Sequence, residues 1–221
     1  MSLLAHYPLI DRSKKLPAFF YQTPSGNQPV RDWIKGLSSE DRQLVGRDVQ
    51  KVEFGWPIGM PYCRSLGNGL WEVRSDLTDG KTGRVIFCLV RGRMVLLHGF
   101  IKKTQKTPAK DMDLALKRMK EVVENMAQKK KGEIGSSFDG FLAEEGILET
   151  CKEQALKQIL ADQIKAAMEK DNLTKSAMAQ RMQTSRRALD RLLDPKNTGV
   201  TLHTMQRAAV AIGRQLRLEL V

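Results

Sequence analysis

The sequence predicts an α+β domain followed by an all-α domain, and three features of the chain carry that prediction. Strand patterns are concentrated between residues 62 and 103, where apolar and polar positions alternate with a period of two. The later part of the chain instead places apolar residues at helical spacing, with a strand pattern only at residues 216–220. A polar, basic stretch without periodicity, residues 125–136, lies between them and is typical of a linker.

The predicted sheet of the first part is small and antiparallel, and it packs on helices. Residues 70–74 (LWEVR) alternate strictly, residues 76–80 (DLTDG) form a turn, and further strands cover residues 84–90 and 94–101. The two aspartates of this turn also resemble part of a calcium-binding loop. The turn lacks the distal Glu and the alternating ligands of such a loop, so a hairpin turn is the better interpretation.

Helix starts are marked by capping residues in both parts. In the first part, Ser38 begins a capping box, and Pro108 occupies a first helical position. In the second part, a longer helix comes first, and Thr174 and Ser185 then each cap a short one. A final helix ends at Gly213. The second part is therefore predicted as a bundle of four helices with a short C-terminal strand.

These patterns divide the chain into four segments. Residues 1–17 are an N-terminal extension without an assigned role, and residues 18–124 form the α+β domain. Residues 125–136 form the linker, and residues 137–221 form the helical domain. Because no internal repeat relates the two domains, we expect them to have different functions.

The charge of the chain favours a polyanionic partner. Its 221 residues include 37 Lys and Arg against 25 Asp and Glu, a net charge of +12. Lys and Arg gain free energy from counterion release on nucleic acid, although a merely basic protein is the alternative interpretation. Residues 1–125 hold 21 basic and 13 acidic residues, a net +8, and residues 126–221 hold 16 and 12, a net +4.

The cysteine and histidine content excludes several classes of protein. The three cysteines are far apart and form no CxxC pair, which argues against a disulfide scaffold and against a thiolate zinc site. The three histidines show no ligand spacing, so we predict neither a metal nor another cofactor. There is no apolar run of membrane-spanning length and no secretory signal. The expectation is a cytoplasmic protein with no membrane partner.

The two short helices of the second part are typical of a helix-turn-helix. The outward face of the second helix is rich in arginine, which suits bidentate contacts to guanine; a plain hairpin with solvated arginines is the alternative. Residues 173–195 and 201–208 resemble Xre/Cro-type antitoxins of the HigA type, with Gln183 where that pattern usually has Gly. The resemblance implies operator DNA as a partner. The DNA-binding residues would be Thr184, Ser185, Arg186, Arg187, Asp190 and Arg191.

Strand alternation collects basic side chains on one face of the predicted sheet. Arg74 and Arg84 lie on two strands, and His98, Phe100 and Lys102 alternate along a third. If the sheet packs on helices through its other face, these side chains are exposed. Cations can stabilise a scissile phosphate, an imidazole can move a proton, and a phenyl ring can stack on a base. The alternative is a solvated basic surface with a structural histidine.

Three stretches of the first part form a set: residues 70–74 (LWEVR), 83–87 (GRVIF) and, above all, 97–108 (LHGFIKKTQKTP). With them, residues 20–122 resemble the phage-derived branch of the RelE/HigB superfamily of ribosome-dependent mRNA interferases. The resemblance implies metal-independent mRNA cleavage in the ribosomal A site, with attack by the ribose 2′-hydroxyl and a cyclic phosphate product. It implies Arg74, Arg84, His98, Lys102 and Lys103 as catalytic residues, and Arg64, Phe100 and Lys106 as RNA-binding residues.

The order of the two parts adds a further implication. HigB-type toxin genes typically precede their antitoxin genes, so the chain resembles a fused type II toxin–antitoxin pair, natural or engineered. The second part would neutralise the nuclease in cis and repress transcription. A tether raises the effective concentration of the second part to about millimolar, which favours this intramolecular contact.

Two further expectations concern contacts. Phe138, Phe141 and Leu142 form an apolar helical stripe, which is a candidate toxin contact or, alternatively, packs on its own domain. A Cro-like domain usually binds DNA as a homodimer, so we expect a dimer through the C-terminal domain. The alternative function for the whole chain is a DNA-binding repressor whose toxin-like half is an inactive interaction module.

Overall fold

The structure is a computed structural model that describes residues 14–102, 108–127, 134–194, 197 and 199–216. The chain divides into two compact units, Met1–Lys152 and Glu153–Val221. The first is a mixed α+β unit and the second is helical. Residues 134–152 belong to the first unit, although the sequence pattern assigned most of them to the helical domain.

A six-stranded sheet forms the centre of the first unit. Its strand order is β2-β3-β4-β5-β1-β6, and strands β2 to β5 form an antiparallel meander. β1 pairs with β5 in parallel, and β6 pairs with β1 antiparallel, so the prediction of a purely antiparallel sheet is wrong. The strands are β1 (Ala18–Tyr21), β2 (Cys63–Gly67), β3 (Leu70–Asp76), β4 (Thr82–Val90), β5 (Arg93–Lys102) and β6 (Ile134–Ser137).

The helices of the first unit begin where local sequence favours them. Ser38 accepts a hydrogen bond from the Asp41 backbone N–H at the start of the second helix, as the capping box predicts, and Ser137 caps the fourth helix in the same way. The turn after β3 is a short 3₁₀ turn, Thr78–Gly80, in agreement with the predicted hairpin turn. The helices are α1 (Pro29–Lys35), α2 (Ser39–Gly55), α3 (Ala109–Ala127), α4 (Phe138–Glu144) and α5 (Leu148–Lys170).

Helices cover both faces of the sheet. One core joins α1, α2 and α4 to the face that carries Val73 and Val85. A second core joins α3, through residues such as Ala115 and Val122, to the face that carries Ile86. The expectation of one packed and one exposed face is therefore corrected, because apolar residues of α3 are buried against the face that carries the basic side chains.

A β-bulge in β5 determines which face His98 occupies. Ile86 pairs with His98, but the next residue of β4, Phe87, pairs with Leu96. Leu97 is thus an extra residue, and it packs in the same core as Ile86. Strict alternation placed Leu97 on the opposite face from His98, and the bulge overturns that expectation.

The second unit contains the rest of α5, then α6 (Lys175–Arg181), α7 (Arg186–Leu193) and α8 (Leu202–Ala211). The Thr174 and Ser185 side chains accept hydrogen bonds from backbone N–H groups in the first turns of α6 and α7, as predicted. Met178, Leu189 and Ala208 meet in one apolar core. The predicted C-terminal strand falls mainly on residues 217–221, which lie outside the described residues.

Candidate functional site

Four cations come together on the α3 side of the sheet, and we call them the basic cluster: Arg64, Arg74, Arg84 and Lys102. Arg74 lies directly opposite Arg84, which lies opposite Phe100, so the three side chains leave the same face. Lys102 is one same-face position further along β5, paired with Thr82. Arg64 lies opposite Glu72 in the register between β2 and β3, and the Arg64 side chain is exposed.

Arg84 is the most buried member of the basic cluster. Its side chain and that of Glu72 are 2% and 3% exposed, and Arg84 Nε lies 3.7 Å from Glu72 Oε2. Burial lowers the pKa of Arg84, and Glu72 opposes that shift. Within the described residues, Arg84 Nε and Nη1 have no hydrogen-bond partner. Two buried guanidinium nitrogens thus keep donor capacity, which an oxyanion can use.

Lys102 is electrostatically part of the same cluster. Desolvation lowers the pKa of Lys102 most strongly, and Arg84 adds to the shift, while Glu72 acts in the opposite direction. Arg74 and Arg64 lower this pKa further. The cations therefore lie close enough to affect each other's protonation, with the Glu72 carboxylate among them. The alternation of residues 70–74 also places Glu72 on the same face as Arg74, but we predicted no function for Glu72 from the sequence.

Arg74 joins the basic cluster to a small cavity. Its Nη1 lies 3.2 Å from Met60 Sδ. On the α2 side of the cavity, Lys51 forms a 2.8 Å ion pair with Asp48 and lies over the Tyr62 ring at 3.6 Å. The cavity has a volume of about 120 Å³ and is lined by Arg47, Asp48, Lys51, Pro61, Tyr62, Arg74 and Asp76. Sequence reasoning did not anticipate it, because its residues come from three separate segments.

His98 has different neighbours from Lys102. Its Nε2 lies 2.8 Å from Asp111 Oδ1 in the first turn of α3, and both side chains are largely buried. The imidazole stacks on the Phe100 ring, with 5.5 Å between centroids and 19° between planes. Phe100 thus lies between His98 and the position of Lys102 along β5. Two predicted site residues, Lys103 and Lys106, lie outside the described residues.

The cysteines do not provide a nucleophile in this unit. Cys63, Cys88 and Cys151 are all free and buried. Burial raises the pKa of each thiol to about 12, so each stays protonated at neutral pH.

The predicted DNA-binding residues of the second unit lie on or just before α7. Arg186, Arg187 and Arg191 are exposed, together with the capping Ser185. Thr184 is partly buried in the turn before α7. Asp190 is only partly available, because it accepts a 2.6 Å hydrogen bond from Lys175 of α6, which lowers the pKa of its carboxyl group.

The turn between α6 and α7 is held by a residue that the sequence did not single out. Arg207 of α8 donates hydrogen bonds to the backbone carbonyls of Met182 and Gln183. Gln183 has a φ of 48°, the left-handed conformation expected where related patterns have Gly. The contact ties α8 to the turn that orients α7.

The apolar stripe of α4 packs on elements from the first half of the chain. Phe138, Phe141 and Leu142 are fully buried in the core shared with α1 and α2. The Phe20 ring of β1 lies 5.6 Å from that of Phe138 and 5.5 Å from that of Phe141. The stripe therefore packs within the first unit, to which residues 134–152 belong.

Charged contacts surround the same stripe. Glu145 forms ion pairs with Arg42 and Lys35, and Glu144 pairs with Arg31. Asp139 pairs with Lys14, whose ammonium also contacts the buried carboxylate of Glu53. Segment 134–145, which comprises β6 and α4, is therefore joined to the rest of the unit by a strand, an apolar core and ion pairs.

The α+β unit contains a toxin-like module. Residues 32–120 match the family described as "Phage derived protein Gp49-like (DUF891)", a phage-derived, RelE-like family associated with toxin–antitoxin systems. The match runs from α1 into α3, so it contains the whole basic cluster and His98. No curated protein matches the chain significantly. None of the helices in the described ranges is long and apolar enough to cross a membrane.

Proposed function

We propose that the first unit is a metal-independent, ribosome-dependent mRNA endonuclease of the RelE/HigB type. The observation that carries the proposal is the buried Arg84, whose unpartnered donors lie among other cations within a toxin-like family match. Burying a guanidinium costs free energy, and the packing of the fold does not by itself explain why an Arg occupies this position. A buried, incompletely bonded Arg in a basic cluster is therefore a functional candidate.

The reaction proposed for this site is an intramolecular transesterification, in which the ribose 2′-hydroxyl attacks the scissile phosphate and forms a cyclic phosphate. Arg74 and Arg84 would bind the scissile phosphate and stabilise the charge that develops on it, and Arg64 would bind a neighbouring phosphate. Lys102 is suited to donate a proton to the leaving 5′-oxygen, because its lowered pKa makes it a better acid than an ordinary lysine. Phe100, Lys103 and Lys106 would add RNA contacts.

The second unit is proposed to be a HigA-like helix-turn-helix that binds operator DNA. Its support is the exposed row of Arg186, Arg187 and Arg191 on α7. The α6–α7 turn is fixed by Arg207, so these side chains are presented on a rigid element. Binding as a homodimer, with repression of its own promoter, belongs to the same proposal.

Segment 134–145 is proposed as the attachment of the antitoxin-like half to the toxin-like half. β6 adds to the sheet edge at β1, whereas the basic cluster lies on β2 to β5, so the attachment leaves the cluster uncovered. Neutralisation of the nuclease by the attached helical unit, through exclusion from the ribosomal A site in the cytoplasm, belongs to the same proposal.

The test compares the full chain with a chain that ends at Lys152, the structural boundary. We expect the shorter chain to arrest growth and cleave translated mRNA, and the full chain to show only residual cleavage. Arg74→Ala should reduce either activity about 100-fold or more, as loss of an electrostatic donor does elsewhere. The exposed Lys81→Ala is the matched control.

The rival interpretation is a repressor with an inactive toxin-like module. Residual cleavage that disappears in Arg74→Ala would exclude this rival. If the shorter chain folds, leaves growth unaffected and cleaves no translated mRNA, the nuclease proposal is wrong.

A further inference from the structure

A hydrogen bond on the α3 side of the sheet joins His98 to Asp111, a residue to which sequence reasoning gave no role. The two atoms, His98 Nε2 and Asp111 Oδ1, are 2.8 Å apart, and the side chains are 16% and 22% exposed. A hydrogen bond of this length in a water-poor setting fixes the orientation of an imidazole ring.

Three further features of the structure help to orient the His98 imidazole. The bulge at Leu97 moves His98 onto the α3 side of the sheet. The Phe100 ring stacks on the imidazole and restricts its rotation. Arg118 of α3 donates a 2.7 Å hydrogen bond to the Leu97 carbonyl, so α3 is tied to β5 beside His98 as well as through Asp111.

The position of Asp111 favours a charged hydrogen-bond acceptor. It lies in the first turn of α3, where backbone N–H groups and the helix dipole stabilise negative charge. An ionised carboxylate only accepts hydrogen bonds, so the contact requires a proton on His98 Nε2. In the neutral ring the other nitrogen, Nδ1, is then unprotonated, and it has no hydrogen-bond partner among the described residues.

His98 is also within reach of the phosphate-binding side chains. It pairs with Ile86, and Arg84 is two residues away from Ile86 on the same face. His98 and Arg84 are thus diagonal neighbours on adjacent strands, with backbones about 7–8 Å apart, a distance that long side chains span. A phosphodiester bound by Arg84 can therefore bring its 2′-hydroxyl to the imidazole.

We propose that Asp111 is the positioning residue of His98, holding Nε2–H so that Nδ1 accepts the proton of the ribose 2′-hydroxyl. As that proton moves to Nδ1, the 2′-oxygen bonds to phosphorus and the P–O5′ bond breaks. The bonding pair stays on the 5′-oxygen, which takes a proton from the Lys102 ammonium. The products are a 2′,3′-cyclic phosphate and a 5′-hydroxyl end. This inference rests on the proposed nuclease function and adds the element that orients its base.

The first readout is the His98 tautomer in the full chain, measured from the ¹⁵N chemical shifts of the imidazole nitrogens. The chain has three histidines, so His98→Gln assigns the signals. We expect a single Nε2–H tautomer in the parent chain and a mixture of tautomers in Asp111→Ala. Asp111→Asn should keep the tautomer, because an amide oxygen still accepts from Nε2–H. The exposed Asp113→Asn on the same helix is the matched control.

The second readout is the residual cleavage of translated mRNA by the same full-length variants. Asp111→Ala should lower the maximal rate about tenfold or more without weakening RNA affinity, and Asp111→Asn should recover most of that loss. An unchanged tautomer in Asp111→Ala, or a changed tautomer with an unchanged rate, overturns the inference. If the parent chain cleaves nothing, the proposed function fails, and the tautomer shift still decides whether Asp111 positions His98.

Discussion

Lys14 Nζ lies 2.8 Å from Glu53 Oε2, and each side chain is only 1% exposed. The Glu53 carboxylate also accepts hydrogen bonds from the Ala18 backbone N–H and from Gln50. Burial nevertheless dominates and raises the pKa of Glu53 from 4.5 to about 7, against the opposing effect of Lys14. Asp139 of α4 shares the Lys14 ammonium, so this buried group lies where segment 134–145 attaches.

This pKa predicts a specific dependence of stability on pH. Between about pH 4.5 and pH 7 the folded chain holds a proton on Glu53 that the unfolded chain has released. The free energy of unfolding should therefore fall as pH rises through this window, by about 3 kcal/mol in total, and this contribution should level off above it. Glu53→Gln should remove that slope, as measured by denaturant unfolding at several pH values. The exposed Glu40→Gln should retain it, and an equal slope in both variants would contradict the prediction.

A second prediction concerns the attachment of α4. Phe141 is fully buried and meets the Phe20 ring edge-on at 5.5 Å. Phe141→Ala should lower the free energy of unfolding by about 3–5 kcal/mol, because it removes apolar contacts and leaves a cavity. If α4 instead only rested on the surface, the cost measured by denaturant unfolding would stay below about 1 kcal/mol. The exposed Val123→Ala is the control for loss of an apolar side chain.

The same packing explains how much of the first unit was predictable. Local sequence patterns predicted β3, β4, β5 and the caps of α2, α6 and α7, because alternation and capping depend only on neighbouring residues. They missed β1 and β6, which are four residues each and depend on pairing across more than a hundred residues of chain. The site shows the same division. Arg74, Arg84 and Lys102 were found by alternation, but Asp111 and the cavity beside Arg74 are brought in by tertiary contacts.

Burial was the least predictable property of the site residues. Alternation assigns a face, and it cannot say whether a helix covers that face. Arg84 was expected on an open surface and is 2% exposed, because α3 packs on the same side of the sheet. The difference matters chemically, since a buried guanidinium interacts with phosphate more strongly than a solvated one.

A third prediction uses salt to test the role of Arg64. This side chain is exposed on β2 at the edge of the basic cluster, so its removal should not disturb the core. If Arg64 contacts an RNA phosphate, Arg64→Ala should weaken single-stranded RNA binding uniformly across sequences. The slope of log affinity against log salt should fall in magnitude by about 0.7. Lys81→Ala, in the turn before β4, should leave the slope unchanged; equal effects of both variants would contradict a specific contact.

The last prediction tests the second unit as a DNA reader. Arg187 is exposed in the first turn of α7, the element that a helix-turn-helix lays in the major groove. A bidentate contact to guanine predicts that Arg187→Ala loses about 1–3 kcal/mol of affinity for the chain's own operator and little for unrelated DNA. Lys170→Ala, at the exposed end of α5, removes the same charge from a different helix and should reduce both affinities equally and slightly. Because only base contacts distinguish sequences, an equal loss on both DNAs in Arg187→Ala would assign this arginine to phosphate contact, and the specificity would have to come from its neighbours on α7.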